Sequence, residues 1–336
     1  MKNDDLNSIW VDIEQQQNSK TQLYQRMVYV GLLYRVYIGS SGIPKKRFLS
    51  IEIPETETKS FDDFTVPQGF TLNISRPLIR HEGYASCVLQ AASSDLNDVF
   101  AIVCKDILES LKKQKKAETY IDTLKKRIEK WRIFFKNPVK RRLSEKAVIG
   151  LFGELSFIQN MVAAQIQNVS DIWNGPINAA QDFQWNSVAA EIKTVATNKM
   201  GYVHISSEEQ LDDDDRQELF LVAYRLERND ANGITLPQMI HNISELLSEQ
   251  QKSRFMANLT CLGYTDQDAA VYNNGYTIKE CKAYRVKEGF PRILRSNLPQ
   301  GVIETSYKLA LQSCGKYEVE FDEIPQAVRE YEDGEN

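Results

Sequence analysis

The 336-residue chain lacks several features that are typical of zinc sites, of secreted proteins or of membrane proteins. It contains only three histidines, with no short metal-binding spacing, and five scattered cysteines without a Cys-x-x-Cys pair. These spacings argue against a structural zinc site and are typical of reduced, mostly buried thiols in a cytosolic protein. There is no N-terminal signal pattern, and no apolar run approaches the roughly 18 residues that span a bilayer, so we expect a cytoplasmic protein.

Two common catalytic motifs are also missing, the Gly-x-Ser-x-Gly elbow of hydrolases and the Walker phosphate loop. Any use of ATP would therefore depend on a partner. The composition, 42% hydrophobic and 26% charged, is that of an ordinary globular protein, and the length allows two or three domains.

The net charge of −5 hides an uneven distribution of charge along the chain. Between Lys112 and Arg142 there are 13 Lys and Arg against three acids, a local charge of +10 that leaves −15 for the rest. A segment of this kind either follows a phosphate backbone or forms the solvated face of a Lys-rich helix. The sequence leaves both interpretations open.

Hydrophobic periodicity and the placement of Gly and Pro predict an α/β chain in three parts. Residues 1–140 form a β-rich N-terminal domain that ends in a basic helical segment. Residues 141–230 begin with a helix capped by Ser144 and continue as three strands, a helix and a strand. Residues 231–336 form an α+β region with a frayed acidic tail. Strands are expected at 27–38, 48–53, 70–74, 87–91, 202–206, 218–226, 278–286, 302–311 and 317–321.

One further predicted β-hairpin, with a two-residue turn at Asn186-Ser187, places three charged residues on one face. The turn sets Asp182 opposite Glu191, and Lys193 lies two residues further along the same face. Two opposed carboxylates weaken a hairpin unless a divalent cation lies between them, and their hard oxygen atoms suit Mg²⁺ or Mn²⁺. For the isolated triplet, an exposed ladder of salt bridges is the alternative interpretation.

The helix before this hairpin carries a fourth candidate residue, Glu154. Apolar residues recur in this helix at steps of three and four and form one buried stripe: Val148, Leu151, Leu155, Ile158 and Val162. Glu154 lies on the flank of this stripe, where an acid is either solvated or functional at the boundary of the core.

These residues resemble the PD-(D/E)XK nuclease superfamily, with Asp182 and Glu191-Ile-Lys193 as the motif. Gln181 stands where that superfamily often has proline. Further strings resemble an uncharacterised branch of it, found beside methyltransferases and ATPases in bacterial defence gene clusters. They are Gly-Leu-Phe-Gly-Glu-Leu from Gly150, Trp-Asn-Gly-Pro from Trp173, Gln-Asp-Phe from Gln181, Glu-Ile-Lys-Thr from Glu191, Ile-Ser-Ser-Glu-Glu-Gln-Leu from Ile205, and Gly-Phe-Pro-Arg-Ile from Gly289.

The resemblance implies a restriction-endonuclease-like mixed sheet flanked by helices, with residues 141–230 as the nuclease core. It implies a Mg²⁺-dependent DNA endonuclease of a bacterial restriction or phage-defence system, with Mn²⁺ able to substitute. By position, Asp182 and Glu191 would bind the metal, and Glu154 would be an additional ligand of the metal or of its water. Lys193 would be the catalytic lysine, and Gln210 would be a polar residue that supports the site.

The partners that the resemblance implies are double-stranded DNA and an ATPase or methyltransferase subunit. A homodimer would allow both strands to be cut. The alternative function is a catalytically silent subunit that uses the nuclease fold to bind DNA or to assemble. His204, in a strand near the site, is interpreted as a packed strand residue, with contact to DNA as the alternative.

Overall fold

A computed structural model of the chain describes residues 6–16, 23–28, 32–61, 69–77, 79, 81–136, 142–166, 169–175, 179–196, 200–213, 217–302 and 305–333. It divides into two compact units, Met1–Arg141 and Arg142–Asn336. None of the described helices is long and apolar enough to cross a membrane.

As far as the structure describes it, the first unit is an antiparallel sheet with three α-helices. Its helices are α1 (Leu6–Gln16), α2 (Asn97–Lys112) and α3 (Ala117–Lys136). Its strands, in the sheet order β1-β2-β3-β5-β4, are β1 (Tyr24–Val28), β2 (Val36–Ser41), β3 (Lys46–Pro54), β4 (Phe70–Ser75) and β5 (Tyr84–Ala91). The central strand β3 is buried along nearly its whole length, as expected of a strand with neighbours on both sides.

The prediction of a single strand over 27–38 is wrong. The chain reverses between β1 and β2, and Val28 pairs with Val36. The run from Met27 to Ile38 is apolar or aromatic almost throughout, so its periodicity carries no mark of the reversal. The Asn137-Pro138 dipeptide, a pattern that predicts a break in the helical segment, lies outside the described residues.

Part of the basic segment has partners within the first unit. The buried carboxylate of Asp106 on α2 accepts a hydrogen bond from Trp131 Nε1 on α3 at 2.7 Å. It also lies 3.4 Å from Lys130 Nζ and 3.6 Å from Arg127 Nη1. These cations compensate a buried acid and join two helices, so the charge of +10 overstates what α3 can offer to a phosphate backbone.

The second unit is built on a mixed sheet of six strands. Parallel pairing joins β7 (Val188–Val195) to β9 (Glu218–Arg228), and the other pairs are antiparallel. The other strands of this sheet are β6 (Phe183–Gln184), β10 (Ile234–Thr235), β11 (Gly275–Val286) and β13 (Glu318–Val319). The strand order is β10-β11-β9-β7-β6, with β13 also paired to β11. A separate two-stranded ribbon consists of β8 (Tyr202–Ile205) and β12 (Tyr307–Ala310).

Helices cover one face of this sheet. They are α4 (Glu145–Ala163), α5 (Val169–Ile172), α6 (Leu236–Ser244), α7 (Glu249–Leu262) and α8 (Glu323–Asp333). Ser144 caps α4 as predicted, because its side chain accepts a hydrogen bond from the Ala147 amide. The other face of the sheet packs against the β8–β12 ribbon and the turn at 311–317. A mixed α/β fold is therefore confirmed for this unit.

The contact between α4 and β7 depends on Gly153. An added Cβ at this position would lie 1.9 Å from Thr194 Oγ1, whereas an added Cβ at Gly150, one turn earlier, would meet nothing within 4 Å. The absence of a side chain at Gly153 thus lets the helix approach the strand that carries Glu191 and Lys193.

We therefore expect Gly153→Ala to lower the free energy of unfolding by about 1–3 kcal/mol through overpacking, as measured by urea denaturation. Gly150→Ala is the matched control and should leave stability unchanged or raise it by up to about 1 kcal/mol. Adding Thr194→Ala to Gly153→Ala should recover part of the loss. Equal stability of the two single variants would contradict this view of the contact.

Three predictions in the last hundred residues need correction. The expected strand over 302–311 is confined to β12, and the one over 317–321 to β13. The tail was expected to be frayed from Glu330, but α8 continues to Asp333. Its buried residues Ile324, Ala327 and Val328 recur at helical spacing, a pattern that indicates a helix in spite of the acidic composition of the tail.

Candidate active site

The predicted hairpin forms with the expected register. Phe183 pairs with Ala190, and the amide of Trp185 donates to the carbonyl of Val188 across the turn. The strand pairing ends there, because β6 has only two residues. On the side away from β7, the carbonyl of Asp182 accepts a hydrogen bond from the Asn174 amide. Asp182 therefore leaves the strand pairing one residue before it would face Glu191.

The carboxylate of Asp182 stays beside β7 in another way. Its Oδ2 accepts a hydrogen bond from the backbone amide of Ile192 at 2.8 Å. The side chain thus takes the position that the carbonyl of a neighbouring strand would occupy. It lies opposite the amide of Ile192, the residue between Glu191 and Lys193. The hairpin delivers Asp182 to the predicted place, through an amide contact in place of a ladder pair.

Glu191 and Lys193 form a close ion pair on the same face of β7. Lys193 Nζ donates to Glu191 Oε1 at 2.6 Å. Glu191 is fully buried, and its Oε2 finds no hydrogen-bond partner among the described residues. An exposed ladder of salt bridges is therefore the wrong interpretation of this triplet, because its central acid has no contact with solvent.

Gln210 joins this pair from a short turn after β8. Its Oε1 accepts hydrogen bonds from Lys193 Nζ at 3.1 Å and from the Ser206 amide at 2.7 Å. The predicted helix at this point is wrong, since residues Glu208–Leu211 form a single 3₁₀ turn and Ser207 makes no side-chain capping bond. Gln210 itself lies beside the predicted lysine.

Glu154 reaches the same place from α4. Its Oε2 accepts a hydrogen bond from Trp173 Nε1 at 2.6 Å. Gly175 makes room for this contact, because an added Cβ there would lie 2.6 Å from both the Glu154 oxygen and the indole nitrogen. Trp173 is buried, and it was not predicted from the sequence to contact Glu154. The one available signal was that a buried indole N–H needs a hydrogen-bond acceptor.

The crowding of three acids around one lysine shifts the pKa of each. Burial, followed by the charge of Asp182, raises the pKa of Glu154 and of Glu191 to about 8. Burial also raises the pKa of Asp182, against the opposing effects of Lys193 and of the Ile192 amide. Burial alone would lower the pKa of Lys193, but the charges of Glu191 and Asp182 outweigh it and raise the pKa. A network of this kind is costly for the fold and is typical of functional sites.

The donor set suits a hard divalent cation in type, because it offers carboxylate oxygens, one of them buried and unsatisfied. One oxygen of each acid already accepts a hydrogen bond: Lys193 donates to Glu191, Trp173 donates to Glu154, and the Ile192 amide donates to Asp182. Within the described residues, no group of three or more His, Cys, Asp or Glu is arranged to hold a metal ion.

The interpretation of His204 as a packed residue is wrong. Alternate residues of β8 are buried, and His204 lies on the exposed face together with Tyr202, whose exposed fraction is 52%. Lys308, opposite His204 on β12, lies with its Nζ 4.8 Å from the centre of the Tyr202 ring. The outer face of the ribbon is therefore exposed at Tyr202, His204 and Lys308.

A protein-family model described as "Putative PD-(D/E)XK family member, (DUF4420)" matches residues 6–312. The chain therefore belongs to this PD-(D/E)XK family, as the motif residues predicted. No curated protein and no solved structure gives a significant match to the chain.

Proposed function

We propose that the chain is a Mg²⁺-dependent DNA endonuclease of a bacterial restriction or phage-defence system, with Mn²⁺ able to substitute. The observation that supports this most is the convergence of Glu154, Asp182, Glu191 and Lys193 beside β7, with one buried carboxylate oxygen unsatisfied. The mixed sheet with helices on one face agrees with a restriction-endonuclease-like core whose motif residues lie within residues 141–230.

In this proposal Asp182 and Glu191 would hold the cation, and Glu154 would orient water beside it. Bound there, the cation would supply Lewis acidity to a phosphate oxygen and to water. Lys193 is fixed by Glu191 and Gln210 at the edge of this group. Because its pKa is raised, it stays a cation at neutral pH and serves to neutralise the charge that develops on the phosphate.

The outer face of the β8–β12 ribbon is a suitable place for DNA to lie. Tyr202, His204 and Lys308 present an aromatic ring and basic groups to solvent, and β8 leads directly into Ser206, whose amide binds Gln210. Contacts to the phosphate backbone from such groups set the register of a duplex without reading its sequence. A second copy of the chain and an ATPase or methyltransferase subunit are the further proposed partners.

One observation favours a second candidate, a catalytically silent subunit that binds DNA or assembles with partners. Lys193, Trp173 and the Ile192 amide already satisfy one oxygen of each acid. A cation would have to compete with these bonds, and a site that is stable without a metal can also serve as structure alone.

Cleavage of supercoiled plasmid separates the two candidates. We expect purified wild-type protein to nick or linearise the plasmid with Mg²⁺ or Mn²⁺ and to leave it intact with EDTA. The assay should use methylated and unmethylated DNA in parallel, because a restriction enzyme can require either. Binding of duplex DNA without cleavage under all of these conditions would favour the silent subunit.

A further inference from the structure

The turn that carries Gln210 has little local support. It is a single 3₁₀ turn of four residues, and the side chain of the preceding Ser207 does not cap it. A turn this short does not persist by itself, because too few hydrogen bonds offset the ordering of its backbone. Contacts from elsewhere in the second unit must therefore fix the place of Gln210 beside Lys193.

The first such contact comes from Arg292, more than 80 residues later in the chain. Its Nη1 donates to the carbonyl of Leu211 at 2.6 Å, and its Nη2 lies 2.9 Å from a carboxylate oxygen of Asp213. Only 7% of the Arg292 side chain is exposed. A buried guanidinium that binds a carbonyl and a carboxylate in adjacent positions holds the end of the turn in one geometry.

The second contact holds the start of the turn. Glu208 is buried, and its Oε1 accepts a hydrogen bond from Arg295 Nη1 at 3.0 Å. Its Oε2 accepts hydrogen bonds from both the amide and the hydroxyl of Thr305, each at 3.0 Å. All of these partners lie in the segment 292–305, so one stretch of the chain grips both ends of the turn.

A third contact ties the turn to the residue before Asp182. Gln181 Nε2 donates to the carbonyl of Glu209 at 2.9 Å and to that of Asp212 at 3.3 Å. Its own Oε1 accepts a hydrogen bond from Gln184 of the hairpin. Gln181 stands where proline is frequent in the superfamily, and a proline could make none of these side-chain bonds.

We propose that Arg292 and Glu208 are positioning residues, which clamp the turn 208–213 so that Gln210 meets Lys193. Gln181 links the same turn to Asp182, so both sides of the candidate site depend on it. The clamp is a statement about structure, and its role in cleavage rests on the proposed nuclease function. It makes Arg292, Arg295 and Thr305 part of the site, although they follow Lys193 by about a hundred positions.

The test compares Arg292→Ala with wild type by hydrogen–deuterium exchange and by cleavage kinetics. The key reporter is the amide of Ser206, which donates to Gln210. We expect exchange in residues 205–213 to become about ten-fold faster or more, with β9 unchanged. In the Mg²⁺ cleavage assay kcat should fall about 10- to 100-fold while KM for DNA changes less than about two-fold. Arg292→Lys should restore part of both.

Arg329→Ala is the matched control, because Arg329 Nη1 also donates to a backbone carbonyl, that of Ala164, at 2.9 Å. It should change neither the exchange of the turn nor kcat. Unchanged exchange in Arg292→Ala overturns the clamp, and faster exchange with wild-type kcat overturns its role at the site. If wild type does not cleave, faster exchange still supports the clamp, and only the nuclease function fails.

Discussion

Replacing Lys193 with alanine is expected to reduce Mg²⁺-dependent cleavage by about 10²- to 10⁴-fold. Among the described residues, Lys193 is the cation that donates a hydrogen bond to Glu191, and its Nζ also contacts Gln210. Without it, the charge that develops on the phosphate loses its fixed counterion. The measurement is the single-turnover rate of plasmid cleavage at saturating protein.

Two controls separate a lost chemical role from lost folding. Lys193→Met keeps most of the aliphatic side chain and should be as inactive as Lys193→Ala. Lys279→Ala removes a strand lysine that is paired with Glu227 at 2.7 Å away from the site, and it should cut like wild type. Asp182→Asn should be as impaired as the lysine variants. Cleavage at the wild-type rate by both Lys193 variants would show that the site is assigned wrongly.

Replacing Glu154 with glutamine is expected to stabilise the metal-free protein at pH 8. The folded-state pKa of Glu154 is raised from 4.5 to about 8, so the folded chain binds this proton more tightly than the unfolded chain does. Wild-type stability therefore falls as the pH rises from about 5 to about 8, where the ionised carboxyl is penalised only in the folded state. Glutamine removes the charge and can still accept the hydrogen bond from Trp173.

The expected gain at pH 8 in EDTA is about 1–2 kcal/mol, or about 3–6 °C in Tm, by calorimetry or dye-based melting. At pH 5 wild type and variant should melt together. Glu245→Gln, which changes a mostly exposed acid outside the site, should show no such dependence on pH. Mg²⁺ should raise the Tm of wild type more than that of Glu154→Gln. A variant less stable than wild type at pH 8 would mean that Glu154 is not penalised there.

The sequence predicted the residues of the candidate site better than the contacts that hold them. The register of the hairpin follows from local turn geometry, so Phe183–Ala190 and the shared face of Glu191 and Lys193 could be read from the pattern. The Ser144 cap and the α4 stripe are local in the same way.

The supporting contacts depend on tertiary structure and were not predictable. Trp173, Gln181 and Arg292 meet their partners across 19 to 81 residues of sequence. The helix predicted after the third strand rests on the capping-box pattern Ser207-x-x-Gln210. In the structure Ser207 makes no capping bond, and contacts from distant residues hold this turn. His204 was assigned wrongly because the alternation of residues in β8 does not show which of its two faces packs against the rest of the protein.

The two-residue length of β6 has a consequence for the solubility of the chain. Beyond Ala190, no residue of β6 pairs with β7, and the carboxylate of Asp182 accepts the hydrogen bond of the Ile192 amide in its place. An unprotected strand edge can recruit a strand from another molecule, and a fixed negative charge at that point discourages such pairing. Asp182→Ala, which removes both side-chain oxygens, would thus free a backbone donor for self-association, so aggregation and loss of the proposed metal site would arise from the same side chain.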